Sequence, residues 1–380
     1  MTENARKEDG KKIAEQPDQI KRIADNWYQV KAQSIKKESW YDVIFTETGL
    51  VCDCPDFQWR NVQCKHCYAV YFSQLLRREV WKQTKIHEIS QQNCTFCNSA
   101  NIIKRGIRKN KQYDLQRFYC NDCKKWFVFN VGFEGMRASS QVITNALQLY
   151  FSGESLRNVH QFLKLQGVTV SHMTVYRWIK KYVGLMESYL EKITPQVGDQ
   201  WRADELYLKI KGNTKYLYAM MDDETRFWIA KQVSDSKYVA DITPMFNQAK
   251  VSTQKKPTVF ITDGATNFSR AYKNEYWTQF GKRTKHISHI HLQGDFNNNK
   301  MERMNGEIRD REKVMRGLKK TDTPIIEGYR IYHNYVRPHQ GLEGKTPADL
   351  AGIKVAGTNK WITLIQNAQK SRNVTGGTTC

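Results

Sequence analysis

A chain of 380 residues is longer than one hydrophobic core usually serves, so two or more domains are expected. Its 40% apolar and 12% aromatic content excludes a disordered chain. The 60 Lys+Arg against 38 Asp+Glu, a formal charge of +22, point to a polyanion, DNA or RNA ahead of a membrane surface. No apolar run nears the ~18 residues that cross a bilayer. Met1 to Asp18 lacks the apolar stretch of a signal peptide, so a cytoplasmic protein with reduced thiols is expected, nucleoid-associated if prokaryotic.

In chain order, residues 1–38 read as a charged, mobile arm leading into an amphipathic stretch around Ile20–Val30. A strand at Trp40–Phe45 and a turn at Glu47-Thr48-Gly49 precede Cys52-x-Cys54 and Cys64-x-His66. That pattern resembles the SWIM zinc finger, here assigned to residues 39–88, with Trp59 and Tyr68 as core. Cys64-x2-Cys67 could be a knuckle in place of His66; the Cys/His sets that zinc accepts favour His66. A helix at Ala69–Gln83 leads to a module at 89–132. There Cys94-x2-Cys97 and Cys120-x2-Cys123, separated by 22 residues, can close a thiolate tetrahedron around a second structural zinc. Basic residues such as Arg105, Arg117 and Lys125 lie among Tyr113, Phe118, Tyr119, Trp126 and Phe127. The aromatics suit either stacking on bases or the ribbon's own core.

Residues 136–190 read as helical. Val142, Ala146, Leu149 and Tyr150 recur at helical steps, Glu154–Leu165 forms a second helix that Gly167 ends, and Ser171 can cap a third at Met173–Val183. The last two have the length and break of a helix-turn-helix, an ordinary helical hairpin being the alternative. The third would present His172, Thr174, Tyr176, Arg177, Lys180 and Lys181 to a major groove. Past the boundary at Pro195 and Gly198 the period becomes two: strands are expected at Gln200–Lys211, Lys215–Met221 and Arg226–Val233. A helix at Lys237–Ala249 that Pro244 should kink or interrupt follows. Then come strands at Pro257–Thr262 and Lys282–Ile290 and helices at Asn297–Leu318 and Pro324–Val336. The tail, 351–380, carries no signal.

Three acids stand out. Asp204 shares the inward phase of its strand with Leu206, Leu208 and Ile210, costly unless paired or holding a metal. Asp263 ends the apolar strand Val259-Phe260-Ile261, and Glu302 lies beside the stripe Met301, Met304 and Ile308. Converging, they could hold two hard cations, Mg²⁺ or Mn²⁺, for in-line displacement at phosphorus; singly, each reads as a surface or turn acid. Residues 197–350 resemble the catalytic domain of insertion-sequence DDE transposases. The matching segments are Trp201-Arg202-Ala203-Asp204-Glu205, Ile261-Thr262-Asp263-Gly264-Ala265, Asn298 to Gly306, and Tyr332-His333-Asn334-Tyr335-Val336-Arg337-Pro338-His339-x-Gly341-Leu342.

The resemblance implies a multidomain chain: small zinc modules, the helix-turn-helix, then an α/β RNase H-like mixed sheet flanked by helices at 196–350. It implies Asp204, Asp263 and Glu302 as catalytic acids, 38 residues separating the last two, and Arg309 as the basic residue two turns beyond. Lys313 and Arg316 would join it on phosphates, a solvated face being the alternative; Arg337 and His339 would help order the site. The implied activity is cleavage of element ends and joining of their 3′-OH to target DNA by a dimer or higher oligomer on double-stranded DNA. The SWIM-like segment and Pro244 depart from the pattern of small bacterial members. A domesticated DNA-binding regulator and a nuclease without strand transfer are the rivals. His289-Ile290-His291 is a weak match to nicking enzymes, and Gly344-Lys345-Thr346 fails as a phosphate loop because His339 stands where a glycine belongs.

Overall fold

A computed structural model describes residues 3–16, 19–24, 27–33, 39–46, 49–60, 62–80, 84–89, 92–109, 113–210, 212–277, 283–288, 299–314, 318 and 324–376. The chain forms two compact units, Met1–Gln83 and Thr84–Cys380. Among the described residues no helix is long and apolar enough to cross a membrane.

The first unit contains helix α1 (Glu3–Glu15), strands β1 (Ile20–Ala24), β2 (Trp27–Lys31), β3 (Trp40–Thr46) and β4 (Gly49–Cys52), and helices α2 (Pro55–Arg60) and α3 (Lys65–Val80). The strands form one antiparallel sheet in sequence order. The expected arm is therefore corrected: it holds a helix packed on α3 and two strands of this sheet. The charged helix hid from periodicity because little of it is apolar. Only Arg6, Gly10 and Ile13 are buried, and a Cβ on Gly10 would meet the Cβ of Tyr68 at 2.5 Å, so glycine sets the close crossing. Arg6 also pairs with Asp56 at 2.9 Å. Tyr28, Val30, Val43, Ala69 and Val70 pack around four buried cysteines. Trp59, expected in this core, is 87% exposed.

The second unit begins with β5 (Thr84–Ile86) and a three-stranded ribbon of β6 (Ile102–Lys109), β7 (Asp114–Cys120) and β8 (Trp126–Val128). Helices α4 (Ser140–Ser152), α5 (Leu156–Leu165) and α6 (His172–Leu190) follow. Each starts at a serine whose hydroxyl accepts a backbone N–H: Ser139 from Val142, Ser155 from Asn158 and Ser171 from Thr174. Gly167 takes φ +78° in the α5–α6 turn, a conformation that favours glycine.

Next come β9 (Gln200–Ile210), β10 (Asn213–Asp222), β11 (Trp228–Ser234), α7 (Val239–Thr253), β12 (Val259–Ile261), α8 (Thr266–Glu275), β13 (Lys285–Ile287) and α9 (Asn299–Glu312). The chain continues through α10 (Pro324–Ile331), a π-helical turn (Tyr332–Val336), a short 3₁₀ turn (Gln340–Leu342), α11 (Pro347–Leu350), β14 (Ile353–Val355) and α12 (Lys360–Gly376). The five-stranded sheet has the order β11-β10-β9-β12-β13, the first three antiparallel and the last two parallel to β9. This is the mixed, RNase H-like order. Pro244 sits inside α7 without ending it. Just past the first turn, it removes a single intrahelical bond, which corrects the expected interruption.

One further expectation is corrected. Pro195 and Gly198 do not divide two cores: Val175, Ile179 and Val183 of α6 belong to one apolar cluster with Leu206, Leu208 and Phe260 of the sheet domain. Where the tail carries no sequence signal, residues 360–376 form α12, which packs on α6 and α4. Trp361 stacks on Phe151 at 5.7 Å, and its indole N–H donates to Gln148 at 2.9 Å.

Candidate active site and metal centres

Asp204 lies mid-strand in β9, on the face shared with buried Leu206, Leu208 and Ile210. β12 runs parallel beside it with Phe260 opposite Trp201 and Ile261 opposite Arg202. Continued two residues past the end of β12, that register brings Asp263 level with Asp204, and adjacent strands are ~4.8 Å apart. Backbone geometry fixes Asp263: its Oδ1 accepts from the Ala265 N–H at 3.1 Å, and Gly264 turns at φ +91° with no room for a Cβ, which would lie 2.3 Å from the Ser288 carbonyl oxygen. Glu302 is exposed in the first turn of α9, one turn before Asn305 on the same helix side. Asn305 is buried, and its Nδ2 donates to Asp204 Oδ2 at 2.8 Å. This bond ties α9 to β9.

Desolvation raises the Asp204 carboxyl to about 7. A hydrogen bond from the Glu205 N–H opposes the rise, and the charges of Asp263, Glu205 and Glu302 add to it. The structure thus brings the three predicted acids into one electrostatic cluster. Their oxygens do not all gather within 4.8 Å as the cysteine groups below do. Oxygen donors of like charge, one of them desolvated, suit a hard divalent cation. Glu205 instead turns to Lys237, whose ammonium also reaches the Tyr207 hydroxyl at 2.8 Å.

The flanking basic residues have varied fates. Arg309 is exposed in the last turn of α9, Lys313 pairs with Asp310 at 2.7 Å on an exposed face, and Arg316 lies outside the described residues, as do His289 and His291. Arg337 forms a two-pronged pair with Glu307 of α9 at 2.5 and 3.0 Å. His339 donates through Nε2–H to the His333 carbonyl at 3.1 Å. On α6, Arg177, Lys180 and Lys181 are exposed while His172, Thr174 and Tyr176 are partly covered; Thr174 is held in the Ser171 cap.

Asn305 enters the sequence reading only inside the segment Asn298 to Gly306, with no role assigned to it. It shares a helix side with Glu302, but nothing in its spacing distinguishes it from a surface amide. Asn334 was quoted only within a motif. Its side chain accepts from the Trp228 N–H at 2.8 Å and donates to the Trp228 carbonyl at 3.0 Å, closing the edge of β11 as a neighbouring strand would.

Two metal-ligand constellations are present, each with ligand atoms mutually within 4.8 Å: Cys52, Cys54, Cys64 and His66, and Cys94, Cys97, Cys120 and Cys123. His66 Nδ1 lies 3.9 Å from both Cys52 Sγ and Cys64 Sγ. Cys67 sits close by, its Sγ 3.6 Å from that of Cys64, but its thiol also faces the Leu50 carbonyl at 3.8 Å. In the second group Cys94 approaches Cys123 at 3.6 Å and Cys97 approaches Cys120 at 3.5 Å. The residue after each knuckle, Asn98 and Lys124, takes positive φ, and its N–H returns to the first cysteine's carbonyl. Part of the ribbon's aromatic set makes its own core, one of the two expected uses. Phe118, Phe127 and Phe129 form a small core, while Arg117 lies 4.5 Å from the ring of exposed Trp126 and Arg105 flanks Tyr119.

The strand order is that of an RNase H-like sheet, and Asp204, Asp263 and Glu302 cluster on it. Comparison agrees: residues 198–339 match the family model of a DDE domain, and residues 42–74 match that of the SWIM zinc finger. The chain is 34% identical over 131 residues to the transposase for insertion sequence-like element IS431mec of Staphylococcus aureus, and equally to that for element IS257 in transposon Tn4003. Each match covers 33% of this chain, and the chain spans 56%, about half, of each relative's length. Among solved structures, the HTLV-2 integrase catalytic core domain is 20% identical, covering 42% of this chain and 98% of that one, with a TM-score of 0.30.

Proposed function

We propose that this protein is a DNA transposase that cleaves element ends and joins the freed 3′-OH to target DNA. The observation that carries the reading is the half-buried Asp204 carboxylate, raised to about 7 in a cluster with Asp263 and Glu302. Such a set is costly alone and favourable around positive charge. Asp204 and Asp263 would hold a pair of Mg²⁺ or Mn²⁺ ions, with Glu302 completing the second site. Bound there, the cations would supply charge neutralisation at phosphorus and a lowered pKa for the attacking oxygen.

The chain's own groups do the rest. Asn305 aims one Asp204 oxygen, the Ala265 N–H holds Asp263, and Arg309 would meet phosphate near the reacting strand. The α5–α6 pair acts as a helix-turn-helix, with Arg177, Lys180 and Lys181 on phosphates and His172, Thr174 and Tyr176 nearest base edges. The two cysteine constellations hold structural zinc, since four protein ligands leave no open position. Handling two DNA ends calls for a dimer or larger assembly, in the cytoplasm at the chromosome.

The test is strand transfer with Mg²⁺ on duplexes copied from the ends of the DNA segment that carries the gene. Wild type should cleave and join, and Asp204→Asn, Asp263→Asn and Glu302→Gln should bind without joining. Full activity in any one variant refutes that residue's role. Binding without cleavage by wild type would favour a regulator, and cleavage without joining a nuclease.

A further inference from the structure

A basic residue in the first turn of a helix opposes the helix dipole, so Lys300, second in α9, is locally out of place. Its ammonium is bound away from its own helix. It donates to the carbonyl oxygen and to Oδ1 of Asp223, each at 2.9 Å, in the turn between β10 and β11. Asp223 is itself fastened to β9. Its carboxylate pairs with Arg202 and accepts from Gln200 Nε2 at 3.2 Å, and its N–H donates to the Gln200 carbonyl at 2.9 Å. An exposed ion pair would contribute little. Here the Asp223 side chain is 15% exposed and that of Arg202 2%, so Lys300 is held by a covered, several-fold bonded carboxylate.

The two ends of this link fall beside two of the three acids. Arg202 precedes Asp204 by two residues on the same face of β9, and Lys300 precedes Glu302 by two on α9. Three bonds seat α9 along β9 in step: Lys300 on Asp223 beside Gln200 and Arg202, Asn305 on Asp204, and Glu312 on the Lys209 N–H. Glu302 lies between the first two. It also lies in the first turn of its helix, where the leading N–H groups have no intrahelical partner and opening costs least. Asn305 holds that turn from one side, and the Lys300–Asp223 pair ties its other side to the sheet.

We propose that Lys300 is a positioning residue: through Asp223 it holds the first turn of α9 so that Glu302 meets the cation on Asp204 and Asp263. The inference rests on the reading of those acids as a cation site and deepens it. The placing of the third ligand falls to a side chain that touches neither cation nor DNA. The sign of the effect separates this role from that of a plain charge. Removing a positive charge near an acid cluster favours cation binding by Coulomb attraction. Loosening the third ligand weakens it.

Calorimetric titration of the full chain with Mn²⁺, in the absence of DNA, tests this. Lys300→Met should weaken Mn²⁺ binding about tenfold, against the direction of the charge change, and Lys300→Arg, which keeps a donor for Asp223, should stay within about twofold of wild type. In a Glu302→Gln background the same Lys300→Met change should alter affinity by less than about twofold, because the ligand it positions is gone. Amides of Arg303 to Gly306, whose bonds close the first turn of α9, should exchange about tenfold faster in Lys300→Met while those of β9 are unaltered. The lysine side chain is 37% exposed and Asp223 keeps Arg202, so the substitution leaves no buried charge alone. Unchanged or tighter Mn²⁺ binding, an equal loss in the Glu302→Gln background, or faster exchange throughout β9 would overturn the proposal. So would weaker DNA binding with Mn²⁺ affinity intact, which makes Lys300 a phosphate contact. The two readings fail separately. Wild type that binds Mn²⁺ in this Lys300-dependent way but never cleaves DNA refutes the transposase and keeps the positioning role, whereas strand transfer unaltered by Lys300→Met refutes the positioning role alone.

Discussion

Replacing Asp204 with asparagine should stabilise the protein while abolishing its chemistry, and the size of the effect follows from the site. In the unfolded chain Asp204 loses its proton near its ordinary 3.8; in the folded protein it keeps it to about 7. The folded state therefore binds the extra proton between those values, so stability falls as pH rises from about 4 to about 7 and changes little above. A gap of about three pH units at about 1.4 kcal/mol each puts the ceiling near 4 kcal/mol. The amide introduced by Asp204→Asn never ionises and keeps the contacts of the carboxyl: its Oδ1 can still accept from the Glu205 N–H, and Asn305 can turn its unpaired buried Oδ1 toward the new N–H. The chain has two compact units, so a single global transition is not assumed; hydrogen exchange of β9 amides reads the relevant domain. Without added divalent cation, the variant should match wild type near pH 4 and exceed it by up to about 4 kcal/mol at pH 8. Mg²⁺ at a hundredfold its Kd should then add about 2.7 kcal/mol to wild type and far less to the variant. A difference independent of pH, or an equal Mg²⁺ response in both proteins, would refute the account of Asp204 as a desolvated cation ligand.

Asn305→Ala removes the donor to Asp204 Oδ2; strand transfer should fall about tenfold, and the acid limb of its pH profile should move upward, because the carboxylate loses a hydrogen bond. Gly264→Ala forces a Cβ to within 2.3 Å of the Ser288 carbonyl oxygen at a positive φ, so joining should collapse while α6-dependent DNA binding, read by gel shift, persists. Metal analysis should find two zinc ions per chain, with His66→Ala or Cys52→Ser leaving one and Cys67→Ser leaving two; loss of zinc in Cys67→Ser would reassign the ligand.

What the sequence disclosed depended on how local the signal was. The zinc spacings, the Ser171 cap and the alternation in β9 are set within a few residues, and the structure has them where expected. The acids were legible in part for the same reason. A carboxylate on the inward phase of a strand, or at the end of an apolar one, is locally anomalous. Asn305 and Asn334 are not, because their meaning lies in bonds to residues 101 and 106 positions away. α1 was missed because glycine and arginine make its buried face, and α12 because its partners, Phe151 and Gln148, lie more than 200 residues earlier.

The shared core also bears on how grip and chemistry would be coupled. α6 packs on α10, whose chain leads directly into the turn that holds the edge of β11. Arg311, buried on the helix that carries Glu302, donates to the Tyr150 carbonyl of α4. Thus the helices proposed to grip DNA and the helix that supplies the third acid pack within one apolar cluster. Interiors packed at that density transmit displacement instead of absorbing it. Under the proposed function, the distance from the recognised bases to the scissile phosphate is then set by packing rather than by a tether. Lengthening the segment around Pro195 should disrupt folding, where in a chain of tethered domains it would merely relax the spacing of cleavage.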